Sequence, residues 1–126
     1  MSFMLTTEQV RSRTKTVTRR LGWKTAKAGD VVQPVVKGQG LKNGERIEKI
    51  GGPIRFVNVR AESLRALLTD VDYGIDDVRR EGFGQHPAVW GSPTAFVEYF
   101  LNAQPAKHRP SIDDTVTRIE FEYLDA

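Results

Sequence analysis

The stretch from residue 115 to residue 124 limits the choice of fold more than any other part of the chain. Side chains on a β-strand alternate between its two faces. Here one face takes Thr117, Ile119, Phe121 and Tyr123, and the other takes Val116, Arg118, Glu120 and Glu122. The segment is therefore predicted to be a half-buried strand, and the rest of the chain must supply a sheet for it.

Three other segments, at residues 15–20, 31–36 and 54–60, are rich in β-branched residues and are predicted to be strands. Pro34 removes a ladder donor, which favours an edge or a bulge. Short helices are predicted at residues 6–13, 62–68 and 75–80, and after the Ser92-Pro93 cap. Strands that bracket a helical middle predict an α+β fold with a curled, mostly antiparallel sheet.

Size and composition exclude several classes of protein. The 126 residues suit a single domain covering residues 1–126, and no 18-residue apolar run is present to cross a membrane. The N-terminal residues lack the features of a signal peptide. Without cysteine, and with His86 and His108 as the only histidines, the chain has no metal-ligand spacing. We therefore expect a cytoplasmic protein without metal or cofactor.

Charge is distributed unevenly along the chain. Residues 1–60 hold 13 Lys and Arg against 4 Asp and Glu, a balance of +9, whereas residues 61–126 hold 6 against 12, a balance of −6. A basic half of this kind favours binding to RNA, a nucleotide or another polyanion. The alternative is that the two halves interleave in the fold and neutralise each other.

The segment Lys15-Thr16-Val17-Thr18-Arg19-Arg20 concentrates reactive side chains. Strict alternation places Lys15 and Thr18 on opposite faces of a strand, although a bulge or twist can bring them together. An amine beside a hydroxyl is a base beside its nucleophile. Paired guanidiniums, as at Arg19 and Arg20, suit a phosphate or carboxylate. The alternative is a basic strand whose charges are solvated.

A glycine-rich basic loop and a tryptophan add candidate binding residues. Lys37, Gln39 and Lys42 lie in the loop Lys-Gly-Gln-Gly-Leu-Lys, which lets backbone amides approach a phosphate but lacks the P-loop pattern. Trp23 can stack on a base. The alternatives are a flexible hairpin connection for the loop, and a tryptophan that caps the core.

Several motifs, in order and spacing, resemble the ASCH domain family. That family has a Lys with an Arg five positions later, as at Lys15 and Arg20, and a Gly two residues before the Lys, where this chain has Arg13. Gly29-Asp30, the segment Glu81-Gly82-Phe83, the helix around residues 96–100 and the strand at residues 116–123 continue the resemblance. The chain looks most like small ASCH proteins of phages and prophages.

The resemblance implies a PUA-like β-barrel with flanking short helices and a role connected with RNA. A bacterial subgroup of the family hydrolyses the amide of N(4)-acetylcytidine with a Lys, a Thr and a Glu, which match Lys15, Thr18 and Glu81. Lys15 would be the base, Thr18 the nucleophile and Glu81 the general acid. The alternatives are a non-catalytic RNA-binding or modified-base reader module, and a phage accessory protein that acts on a host protein.

Overall fold

A curled, four-stranded antiparallel sheet of half-barrel shape organises this α+β chain. The computed structural model describes residues 1–38 and 41–124. The strands are β1 (Val17–Arg20), β2 (Val31–Val32), β3 (Ile54–Ser63) and β4 (Thr115–Tyr123), in the spatial order β1-β4-β3-β2. β1 is therefore an edge strand. The register of β3 against β4 shifts between Phe56 and Asn58, and this irregularity increases the local twist.

Four short α-helices accompany the sheet. They are α1 (Thr7–Arg11), α2 (Ala66–Thr69), α3 (Val71–Arg80) and α4 (Pro93–Asn102), with 3₁₀ turns at Met4–Thr6 and Ala106–His108. The side chain of Asp70 accepts from the Tyr73 amide at 3.1 Å and starts α3 four residues before the predicted position. Ser92 caps α4 in the same way, with Pro93 in its first turn, as predicted from the sequence.

Two apolar clusters cover opposite faces of the sheet. One contains Phe3, Val10, Ile50, Ile54, Phe56, Ile119 and Phe121. The other lies among the helices and contains Leu64, Leu67, Val78, Phe83, Val89, Phe96, Val97 and Val116. Because both faces are covered, β4 is not the half-buried strand that its alternation predicts: Val116 and Arg118, on the expected polar face, are also buried.

Two further predictions need correction. Residues 62–68 do not form one helix, because β3 continues to Ser63, which still pairs with Thr115 of β4. The predicted strand at 31–36 is only two residues long. Pro34 has no amide to donate to a ladder, and Val35 makes isolated bridges to Ser2 and Lys49 instead.

Two left-handed turns bring the ends of α1 and α3 together. Arg13 has φ +63°, a conformation that glycine adopts most readily. Gly82 has φ +91°, and a Cβ there would lie 2.9 Å from the Cβ of Gln9 and 3.3 Å from that of Lys15. The Thr16 amide donates to the Arg80 carbonyl at 2.8 Å. Lys15 is thereby fixed beside Glu81.

Across residues 1–38 and 41–124, the structure contains no helix with the length and apolar character needed to cross a membrane.

Candidate functional site

A cavity of about 260 Å³ lies beside β1. Its walls come from the N-terminal segment, from Lys15 and β1, from the segment that follows α3, and from the region of α4. The polar lining includes Lys15, Thr18, Arg20 and Glu81, and the aromatic lining is Phe3, Phe83, Phe96, Tyr99 and Phe100. The structure therefore brings the predicted catalytic residues Lys15, Thr18 and Glu81, together with Arg20, around one cavity, although Lys15 and Glu81 are 66 positions apart.

Lys15 and Glu81 form a buried pair in the cavity wall. The Lys15 Nζ donates to Glu81 Oε1 at 2.9 Å and to the Glu81 carbonyl oxygen at 2.6 Å, and both side chains are 3% exposed. Burial lowers the pKa of Lys15 below 10.5, and Arg20 and Arg19 add to this effect, whereas the charge and hydrogen bond of Glu81 oppose it. A lysine of this kind gives up its proton more readily than one in water.

Thr18 and Arg20 lie on the same face of β1. The Arg20 Nε donates to Thr18 Oγ1 at 3.1 Å, and its Nη2 donates to the Ser2 carbonyl at 2.6 Å. The Arg20 guanidinium also lies 4.9 Å from the centre of the Phe3 ring. This arrangement leaves the hydroxyl hydrogen of Thr18 free to donate to a base or a ligand. Within the described part of the chain, Lys15 Nζ makes no hydrogen bond to Thr18.

The Arg19 guanidinium is buried among carboxylates, one of which is Glu81. Its Nη1 donates to Glu81 Oε2 at 2.9 Å, while its Nη2 donates to Glu62 Oε1 at 2.7 Å and to Asp77 Oδ2 at 2.5 Å. The Arg19 side chain is 0% exposed. Arg19 as a ligand-binding residue stays a prediction, and three carboxylates already contact its guanidinium.

A second arginine extends this ionic cluster across the sheet. Arg118 on β4 pairs directly with Arg19 on β1, and its Nε and Nη2 donate to the two carboxylate oxygens of Asp77 at 3.0 and 2.6 Å. Asp77 lies on α3, four residues before Glu81. Burial by itself raises the pKa of Asp77, but the hydrogen bonds and charges of Arg118 and Arg19 outweigh burial and lower it. The cluster fixes α3 on the sheet and Glu81 in the cavity wall.

The other predicted binding residues that the structure describes lie outside the cavity lining. Trp23 is 40% exposed and packs its ring edge-on against Phe56, 6.1 Å between centres. Lys37 and Lys42 do not line the cavity, although Lys37 follows Val36, whose carbonyl accepts from the Ser2 hydroxyl at 3.0 Å. Gln39 lies outside the described residues.

Sequence reasoning missed the carboxylates that position the site and the aromatic wall that encloses it. Asp77 and Glu81 have the i, i+4 spacing of one helix face, a signal that the sequence did contain. The sequence predicts Glu62 in a helix, whereas it lies on β3, and it predicts no helix at Tyr73, which lies on α3. The aromatic residues of α4 were predicted to be core, and Phe96 is, at 2% exposed, but it also lines the cavity with Tyr99 and Phe100.

In the described ranges, no group of three or more His, Cys, Asp or Glu side chains is arranged to hold a metal ion. The lining of the cavity offers an amine, a hydroxyl, a carboxylate and a guanidinium around a small, partly aromatic space. Comparisons of the chain with protein-family models, with curated proteins and with solved structures found no match.

Proposed function

We propose that this chain is an ASCH-type domain with a PUA-like fold, and that it hydrolyses the amide of an acylated cytidine. The observation that carries the proposal is the meeting of Lys15, Thr18, Arg20 and Glu81 around one cavity. The left-handed Arg13, which reproduces a turn that the family makes with Gly, adds support.

The first step is acylation of Thr18. Lys15 acts as the base when its amine is neutral and Glu81 carries the proton that the two side chains share. The neutral amine takes the Thr18 hydroxyl proton, and the oxygen attacks the acyl carbon. Glu81 gives its proton to the leaving nitrogen as the C–N bond breaks. The products of this step are cytidine, an acyl ester on Thr18, a protonated Lys15 and an ionised Glu81.

The second step returns each group to its starting state. Glu81 takes a proton from water, which attacks the ester carbon, and Lys15 returns its proton to the Thr18 oxygen as it leaves. The guanidinium of Arg20, 3.1 Å from Thr18 Oγ1 through its Nε, stabilises negative charge that develops at the reacting carbon's oxygen. Arg19 does not contact the substrate through its side chain and instead holds the Glu81 carboxylate.

The shape of the cavity supports a substrate of nucleoside size. Small-molecule sites typically enclose roughly 300–1,000 Å³, and this cavity, at about 260 Å³, is close to the lower end. Phe83, Phe96, Tyr99 and Phe100 supply flat apolar surface for a base. A single base or nucleoside fits such a space better than a folded oligonucleotide.

The test is to incubate the purified protein with N(4)-acetylcytidine and to follow cytidine release. Thr18→Ala removes the nucleophile and should abolish turnover, whereas Thr18→Ser keeps a hydroxyl and should retain measurable rate. Lys15→Met keeps much of the side-chain volume without the amine and should abolish turnover as well. Circular dichroism and unfolding curves establish that each variant is folded.

Ser111→Ala is the matched control for Thr18→Ala, since Ser111 is an exposed hydroxyl residue outside the cavity lining. It should turn over at the wild-type rate. Absence of cytidine above a no-enzyme blank, with folded wild-type protein at high concentration, would remove the hydrolase proposal.

A second function, a reader that binds a modified base without turnover, is favoured by one contact pattern. The Lys15 Nζ donates twice to Glu81, and among the described residues it makes no bond to the Thr18 hydroxyl. A reader would bind N(4)-acetylcytidine and release it unchanged. Equilibrium binding combined with product analysis separates the two functions.

A further inference from the structure

The main chain of Arg19 forms an unpaired part of the β1 edge. The Phe121 amide donates to the Thr16 carbonyl at 2.9 Å, and β1 pairs Thr18 with Ile119 and Arg20 with Thr117. In an antiparallel ladder, hydrogen-bonded and non-hydrogen-bonded pairs alternate. The N–H and C=O of residues 16, 18 and 20 are therefore on the β4 side, and those of Val17 and Arg19 point away from it.

Arg19 reaches the cavity through these main-chain groups. The residue as a whole is 3% exposed and lines the cavity, whereas its side chain is 0% exposed. The exposed atoms therefore belong to its backbone. Val17 occupies the same edge but is 0% exposed and is not part of the lining.

Neither main-chain group of Arg19 has a hydrogen-bond partner among the residues that the structure describes. Its neighbours on β1 donate to and accept from β4, and no loop or side chain in residues 1–38 or 41–124 takes over at Arg19. A buried N–H and C=O without partners are costly. A ligand that supplies an acceptor next to a donor would satisfy both.

We propose that the N–H and C=O of Arg19 read the hydrogen-bonding edge of a pyrimidine base in this cavity. This inference rests on the proposed function and names the groups that select its substrate. The cytosine N3 accepts from the Arg19 N–H, and the N4–H donates to the Arg19 carbonyl. Acylation of N4 leaves one N–H, so an acylated cytidine keeps this pairing.

The position of Arg19 also fits the chemistry. Thr18 directly precedes it, so a base held at the Arg19 main chain carries its exocyclic nitrogen close to the Thr18 hydroxyl. The aromatic side chains Phe83 and Tyr99, whose rings lie 5.5 Å apart between centres, line the same cavity and offer faces to a flat ring. In this arrangement the Arg19 main chain recognises the base and the neighbouring Thr18 hydroxyl attacks the acyl carbon.

The first test changes the ligand and leaves the protein intact. Isothermal titration of the full chain compares cytidine with 3-deazacytidine, which has the same shape but a C–H in place of the N3 acceptor. Loss of one buried hydrogen bond predicts about tenfold weaker binding. Equal affinity of the two nucleosides would overturn the inference, and so would the absence of cytidine binding at millimolar concentration.

The second test removes the donor from the protein. Incorporation of the α-hydroxy analogue of arginine at position 19 converts its backbone N–H to an ester oxygen. The same exchange at Val17 is the matched control. Each exchange weakens the carbonyl of the preceding residue, Thr18 or Thr16, which faces β4, but Val17 lies outside the cavity lining. The Arg19 ester should bind cytidine and 3-deazacytidine equally, and the Val17 ester should keep the tenfold difference. Discrimination that survives in the Arg19 ester would refute the assignment.

The two proposals fail in different ways. Turnover of N(4)-acetylcytidine together with equal binding of the two nucleosides would leave the hydrolase standing and remove the Arg19 reading edge. Selective binding of cytidine without turnover would support the reading edge and remove the hydrolase in favour of a base reader.

Discussion

Asp77→Ala should be among the most damaging single changes in this protein. Asp77 is 1% exposed, and its carboxylate accepts from Arg19 and twice from Arg118. Arg19 retains Glu62 and Glu81 after the change, whereas the described residues offer Arg118 no other carboxylate. Removal of one partner from a buried ion pair costs about 3–5 kcal/mol.

That cost converts into a large thermal shift. An unfolding entropy of roughly 2.1 cal/mol/K per residue gives about 0.26 kcal/mol/K for a chain of 126 residues. A loss of about 4 kcal/mol then lowers Tm by about 15 °C. Urea unfolding followed by circular dichroism measures the free energy, and thermal melts measure the shift.

The neighbouring Asp76→Ala is the matched control. Asp76 lies on the same helix but is half-exposed, and it pairs with Arg79 and Arg80 at the surface. Surface pairs contribute about 0–1 kcal/mol, so the control should lose little. The double change Asp77→Ala with Arg118→Met removes the stranded cation and should recover more than about 1 kcal/mol. An Asp77→Ala loss no larger than that of Asp76→Ala would refute the argument that the cluster is tightly paired.

Three other predictions concern acid, steric fit and salt. Burial raises the pKa of Asp77, but its arginine partners outweigh burial and lower it below 3.8, so its stabilising effect is present above about pH 4 and is lost as the pH falls further. The difference in stability between wild type and Asp77→Asn should therefore shrink as the pH falls below about 4, and a constant difference would contradict this. Gly82→Ala should lower the free energy of unfolding by about 1 kcal/mol more than Gly44→Ala does, because both residues have positive φ but only an added Cβ at Gly82 would contact Gln9. Equal losses of stability in the two variants would argue against this steric contact. RNA affinity should fall as the salt concentration rises, and the double variant Lys37→Ala with Lys42→Ala should show a weaker dependence of affinity on salt. Binding that does not change with salt would count against a polyanion partner.

Local patterns predicted the elements whose signals are local. The Ser92-Pro93 cap and the alternation in β4 depend on neighbours in sequence, and both elements form. The alternation failed to predict burial of Arg118, because that depends on Asp77 from a helix 41 positions away. A solvated strand and a strand covered by a charged helix have the same pattern.

The site shows the same division. The types and spacing of Lys15, Thr18 and Arg20 marked the segment as chemically capable, and family resemblance paired it with Glu81. The roles of Arg19 depend on strand pairing: the partner strand fixes which backbone groups face outward, and α3 supplies the carboxylates that bury its side chain. Neither is encoded near Arg19, so the sequence predicted a ligand-binding arginine, with a solvated arginine as the alternative.

The Arg19 side chain holds the carboxylates beneath the cavity, and the Arg19 main chain lines it. This double role restricts how the selectivity of the site can be altered by engineering. Changes on β1 would disturb Glu81 and the ionic cluster together with recognition. The opposite wall has no such link. Tyr99 and Phe100 lie on α4, Ala103 and Gln104 follow its end, and none of them joins the ion pairs among the described residues. A library restricted to these four positions can reshape the cavity for a different ring or acyl group while the reactive side chains keep their framework.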